Sequence, residues 1–160
     1  MLFNNILLIV KIKGVHNERI NMEFITLGIC APILKALKDS SYSEPTPIQA
    51  KTIPAALEGR DILGLAQTGT GKTAAFAIPT LQKLSQVQQY SKNRAIRALI
   101  LTPTRELAVQ IKESYQTYGK YLSLRTLVVF GGVGQSTQVS ELKRGVDVLI
   151  ATPGRLLDLI

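Results

Sequence analysis

Residues 66–73 read Ala-Gln-Thr-Gly-Thr-Gly-Lys-Thr, between an apolar run at 61–65 and a helix-like run at 74–84. Strand, glycine loop and helix in that order constrain the fold more than any other feature of the chain. Glycine adopts backbone conformations in which successive N–H groups turn inward, so Gly69 and Gly71 let the loop wrap a phosphate. Lys72 then reaches the β- and γ-phosphates as a point charge, and Thr73 offers a hydroxyl to Mg²⁺. The following helix points its positive end at the anion. Ala66 takes the first place of the general G-x-x-x-x-G-K-[ST] pattern and still permits the loop. The plain alternative is a glycine-rich turn.

From residue 22 onward, helical and strand-like patterns alternate. Apolar residues at Ile33, Leu34 and Leu37 mark one face of a helix over 29–38, and a second helix over 46–57 begins near Pro47. Strands are expected at 61–65, 97–101, 126–130 and 146–150. Helices are expected at 74–84, at 104–118, at 135–143 as a polar surface helix, and from 154 onward. Such alternation means βαβ units and a parallel sheet. With 160 residues, 46% of them apolar and 19% charged, one domain with a real core is the default.

The balance of 19 basic to 11 acidic residues, a net +8, favours polyanionic partners. The excess concentrates between Lys92 and Arg125: Lys92, Arg94, Arg97, Arg105, Lys112, Lys120 and Arg125 face only Glu106 and Glu113. That stretch reads equally well as a solvated face. One cysteine, Cys30, and one histidine, His16, make zinc binding and an intrachain disulfide implausible and suit a reducing, cytoplasmic setting. The apolar stretch at 6–10 is far shorter than the ~20 residues a membrane span needs. It also lacks the pattern of a secretory signal. Residues 1–21 are therefore expected to be an extension outside the fold, of non-native or mis-started origin.

Further motifs fall at the C-terminal ends of the expected strands, the edge where open α/β sheets bind ligands. They are Pro103-Thr104-Arg105-Glu106-Leu107, Gly131-Gly132 and Thr152-Pro153-Gly154-Arg155. Singly, each is as well explained by a turn or a helix cap. Upstream lies Ser43-Glu44-Pro45-Thr46-Pro47-Ile48-Gln49, preceded by Phe24. A glutamine amide both donates and accepts, so Gln49 can pair with the N6/N7 edge of adenine.

Taken together, these motifs resemble the DEAD-box ATP-dependent RNA helicases over 24–160, with the bacterial RhlE-type branch as the expected one. The Ala66 form of the loop is the family's own; Ser41, where the family usually has glycine, is a departure. The resemblance implies an α/β, RecA-like P-loop NTPase domain with a parallel sheet flanked by helices. It implies ATP held by Phe24, Gln49, Ala66, Gln67, Thr68, Gly69, Thr70, Gly71, Lys72 and Thr73, Mg²⁺ on Thr73, and catalytic service from Lys72 and Thr73. It also implies contact with the RNA sugar-phosphate backbone through Pro103, Thr104, Arg105, Gly131, Gly132, Thr152, Pro153, Gly154 and Arg155.

The family's Asp-Glu-Ala-Asp motif is expected after Ile160, so 22–160 corresponds to part of a first RecA-like domain, truncated before the strand that carries that motif. The complementary second RecA-like domain is expected in the full-length protein. Alone, the chain is expected not to hydrolyse ATP, with Asp147, Asp158 and Glu106 the nearest substitutes for the missing acids. Two alternatives stand beside the helicase reading: an inactive nucleic-acid-binding module, and a P-loop enzyme that does not act on nucleic acid. No membrane partner is expected.

Overall fold

The computed structural model describes residues 23–87 and 94–160. The expectation for residues 1–21 lies outside the described residues.

A short 3₁₀ turn, Phe24–Leu27, ends at Gly28, whose φ of +75° suits glycine. Helix α1 (Ala31–Asp39) and helix α2 (Pro47–Leu57) follow, each with proline in its first turn, where the missing N–H costs no helical bond. Helix α3 (Lys72–Gln86) begins directly after the glycine loop. Then come β1 (Ala98–Leu101), α4 (Arg105–Tyr118), β2 (Thr126–Val129), α5 (Gln135–Lys143), β3 (Val148–Ala151) and α6 (Pro153–Leu157). The strands form a parallel sheet in the order β1-β3-β2.

Alternation within β3 distributes the core. Val148 and Ile150 face Ile33, Leu37, Ile53, Ile78, Leu81 and Tyr115 from α1 to α4. Leu149 and Ala151 face the other way, toward Leu142 of α5 and Leu156 of α6. The central strand is buried at every position, as expected of a parallel strand covered on both faces. Helix α5 is the polar surface helix expected, with Gln138 its single buried residue.

Residues 61–65 do not form the expected strand. A strand exists only through ladder bonds to a neighbour, and among the described residues the sheet stops at β1 with none beside 61–65. Leu63 and Leu65 are about half exposed, as are Leu99 and Leu101 on the uncovered face of β1. The segment has strand composition without a strand partner.

The basic stretch is also used differently from the polyanion reading. Asp147, fully buried just before β3, accepts from Arg94 and Arg97 at 2.7 Å each and from the backbone N–H of Arg125 at 2.8 Å. Lys120 pairs with Asp39, and Arg125 lies 3.7 Å from Glu141. These charges tie the fold together. Of the stretch, Arg105 and Lys112 have no ion-pair partner among the described residues. The same hub removes Asp147 as a substitute metal ligand, because its oxygens are already occupied by cationic and amide donors.

Candidate nucleotide and nucleic-acid sites

The phosphate loop is built around two left-handed glycines, Gly69 at φ +83° and Gly71 at φ +87°, with Lys72 opening the 15-residue α3. A Cβ at Gly69 would meet open space, whereas one at Gly71 would lie 2.3 Å from Gln49 Nε2 and 3.1 Å from Thr46 Oγ1. Gly71 is thus demanded by its neighbours as well as by its φ. Lys72 Nζ donates to the Ala66 and Gln67 carbonyls, at 2.5 and 2.6 Å, folding its charge over the loop. Thr70 Oγ1 closes the turn onto the Gln67 carbonyl.

Gln49 is 1% exposed and joins this loop to α2. Its Oε1 accepts from the Thr46 N–H at 2.9 Å, completing one arm of a capping box, and its Nε2 donates to the Gly71 carbonyl at 3.2 Å. One amide hydrogen and one lone pair remain for a further partner. Thr46 Oγ1 is buried facing the Gln49 backbone N–H, the other arm of the box, and its hydroxyl hydrogen has no acceptor. A loop of left-handed glycines at a helix N-terminus, next to a buried hydroxyl hydrogen without an acceptor, fits a phosphate-bearing ligand. Phe24 sits in the main core at 4% exposure, and the 3₁₀ turn that carries it packs against α2.

The second site follows from strand register. Leu101 and Val129 both align with Ala151, so the three chains leave the sheet side by side. Bonds from Thr102 N to the Ala151 carbonyl and from Thr152 N to the Val129 carbonyl keep them together past the last paired residues. Beyond that point Pro103, Thr104, Arg105, Gly131, Thr152, Gly154 and Arg155 line one groove of about 560 Å³. The motifs at successive strand ends were expected to face one crevice, and they do; the strand order that makes them neighbours, with β3 between β1 and β2, was not given by sequence order.

Within the groove Thr104 caps α4, its Oγ1 accepting from Leu107 N at 3.2 Å. The cap reading and the ligand reading of that residue coexist. The Arg155 side chain is about 10% exposed; Nη2 donates to the Val133 carbonyl at 3.2 Å, and Nε makes an ion pair with Asp158 Oδ2 at 3.4 Å without a hydrogen bond. Its Nη1 has no hydrogen-bond partner. Gly132 has φ +78°, and Arg105 packs against it. Pro153 begins α6.

Residues missed from sequence complete the lining. Glu106 and Asp158, first considered as metal-site substitutes, stand in this groove. The lining thus pairs two cations with two carboxylates. Gln138, 8% exposed, donates to the Phe130 carbonyl at 3.1 Å and steadies the strand end that leads into Gly131. Nothing in the sequence sets Gln138 apart from the other polar residues of α5. Among the described residues, no group of three or more His, Cys, Asp or Glu side chains is placed to hold a metal, and no helix is long and apolar enough to cross a membrane.

A parallel sheet with a glycine phosphate loop before α3 and ligand-facing loops on one edge defines a RecA-like P-loop NTPase domain. The match to the family described as DEAD/DEAH box helicase covers residues 46–160, and the chain belongs to that family. It is 41% identical over 151 residues to a zebrafish protein named probable ATP-dependent RNA helicase DDX46, covering 94% of this chain and 15% of that one. It is 48% identical over 143 residues to the ATP-dependent rRNA helicase RRP3 of Yarrowia lipolytica, covering 89% and 29%. The solved structure of the RNA helicase Prp28 from Chaetomium thermophilum bound to ADP superposes with a TM-score of 0.78 at 40% identity, covering 91% of this chain and 35% of that one. The chain therefore spans well under two thirds of the length of these relatives. They are eukaryotic and support the family without supporting the RhlE-type branch.

Proposed function

We propose that the chain is the nucleotide- and RNA-binding front part of an ATP-dependent RNA helicase, which in its full length couples ATP hydrolysis to local unwinding of RNA duplexes. The observation that carries this is the register-aligned groove, where Arg155 holds a nearly buried, unpartnered N–H donor beside Arg105, the helix cap Thr104 and the glycine backbone at 131 and 154. Amides, hydroxyls and guanidiniums suit a phosphate backbone and read no base edge. The phosphate loop takes ATP: Gln49 supplies its free amide valences to adenine, and Thr73 serves Mg²⁺, which neutralises phosphate charge when bound. Lys72 exchanges the Ala66 and Gln67 carbonyls for phosphate oxygens.

The groove's balanced charge gives RNA contact without a large attractive field, so binding is short-ranged and depends on Arg155 and Arg105. A second reading, a nucleic-acid-binding module without turnover, draws support from the unpaired 61–65 segment beside the phosphate loop. Family membership argues against a P-loop enzyme indifferent to nucleic acid. The relatives' printed names point to RNA work in general; neither a cytoplasmic site nor the RhlE-type branch gains support from them.

Fluorescence anisotropy with single-stranded RNA tests the reading. Binding should weaken as salt rises and vary little with sequence, and Arg105→Ala and Arg155→Ala should each lower the salt slope by about 1. Salt-insensitive or strongly sequence-selective binding would refute a backbone groove.

A further inference from the structure

Resting on the nucleotide reading above, we infer that Gln82 is a positioning residue for the base end of the nucleotide site. Gln82 lies on α3, ten residues after Lys72, so one helix carries the phosphate-binding lysine and, about 15 Å further along, this amide. The side chain is 6% exposed. Its Oε1 accepts from Cys30 N and its Nε2 donates to the Gly28 carbonyl, both at 2.8 Å, across 52 and 54 residues of sequence. The amide pairs with the 28–30 backbone as a neighbouring strand would, on a segment that belongs to no sheet.

That segment is the exit of the turn carrying Phe24. Gly28 is left-handed there, and Leu27 and Ile29 on either side are buried. The turn packs on α2, which carries Gln49. Two buried glutamine amides therefore tie the elements before the phosphate loop to α3 at separate points: Gln49 joins α2 to its N-cap through Gly71, and Gln82 joins it to the 28–30 segment that follows the turn carrying Phe24. Apolar packing alone sets how deep the turn sits but leaves it free to slide along the helix; directional hydrogen bonds fix its register. The Cys30 N–H and Gly28 carbonyl are partly buried, and without Gln82 they would lose these two bonds. The phosphate end has its own supports, so loss of the Gln82 clamp should loosen recognition of the base while sparing that of the phosphates.

Calorimetric titration of the chain with ADP, GDP and inorganic pyrophosphate reads this split, with circular dichroism to confirm folding. Gln82→Leu should lower ADP affinity about tenfold, reduce the preference for ADP over GDP, and leave pyrophosphate binding unchanged. Gln82→Asn keeps a neutral amide but draws it back by one methylene, so it should give a smaller fall in ADP affinity; it serves as the test if Gln82→Leu does not fold. Unchanged ADP affinity in a folded variant would overturn the inference, as would a parallel loss of ADP and pyrophosphate. Pyrophosphate binding that survives Lys72→Ala would instead count against the phosphate-loop reading itself.

Discussion

The guanidinium of Arg105 occupies the space that a side chain at Gly132 would need: a Cβ built there would lie 2.0 Å from Nη2 and 2.5 Å from Cζ. With φ at +78°, Gly132 is required twice, by its own backbone and by the arginine from the neighbouring loop. Gly132→Ala should therefore push Arg105 off the groove and weaken RNA binding about as much as Arg105→Ala does. The double variant should be little worse than either single one, since both remove the same contact. Fully additive losses in anisotropy titrations would show that the two residues act separately.

Asp147 makes a prediction about acid. Its burial favours the neutral form, but the Arg125 N–H and the guanidiniums of Arg97 and Arg94 outweigh that and hold its carboxyl below the usual range. A group with a depressed folded-state pKa stabilises the fold above its unfolded value, and that stability is lost as pH falls through the folded value. Thermal melts should thus lose stability on acidification below the ordinary carboxylate range, and Asp147→Asn should flatten that dependence. Asp147→Ala leaves the part-buried guanidiniums of Arg94 and Arg97 without their carboxylate and should cost ~3 kcal/mol, the low end for a broken buried pair. A melt unaffected by Asp147→Ala would mean that the hub does not hold the β3 entrance.

Helix positions were readable because a 3.6-residue pattern is local: α5 matches its expected bounds, and α2 and α4 each begin one residue after the cap residue that opened the expected range. The phosphate loop was readable for the same reason, since its glycines and lysine are contiguous. Residues 61–65 were misjudged because apolar composition reports burial potential and not the presence of a partner strand. The basic stretch stayed open between a polyanion and a solvated face because Asp147, the partner of Arg94 and Arg97, sits 53 and 50 residues away in sequence, and Glu141, which the Arg125 side chain faces, lies on another element. The roles of Gln82 and Gln138 left no sequence signal beyond an amide among apolar or polar helix neighbours.

Gln49 has two tasks in the account, gripping Gly71 and reading adenine. Gln49→Ala should lower the ATP-over-GTP preference by about 1–3 kcal/mol, and it should also weaken pyrophosphate binding, because the tie to the loop is lost. Undiminished ATP preference in competition titrations would remove the adenine role; undiminished pyrophosphate binding would remove the gripping role.

A polypeptide of residues 1–160 should not turn over ATP above background, with or without RNA. Thr73 is its single proposed Mg²⁺ ligand, Asp147 is occupied by arginines, and Glu106 and Asp158 stand in the groove proposed to take RNA. Positioned acids and a charge-stabilising arginine, the latter worth about 10³–10⁵ in rate in related NTPases, are not supplied by these residues. Steady-state phosphate release decides; turnover comparable to that of a full-length helicase carrying this domain would mean that a carboxylate within 1–160 serves the metal.

The coupling of the two sites is most directly tested by RNA-stimulated ATP hydrolysis in a full-length helicase that carries this domain with Arg105 and Arg155 both changed to alanine. ATP hydrolysis without RNA should persist while stimulation by single-stranded RNA is lost at salt where the unchanged protein responds. Full RNA stimulation in that variant, at unchanged RNA concentration, would contradict the assignment of the 103–105, 131–132 and 152–155 groove to RNA.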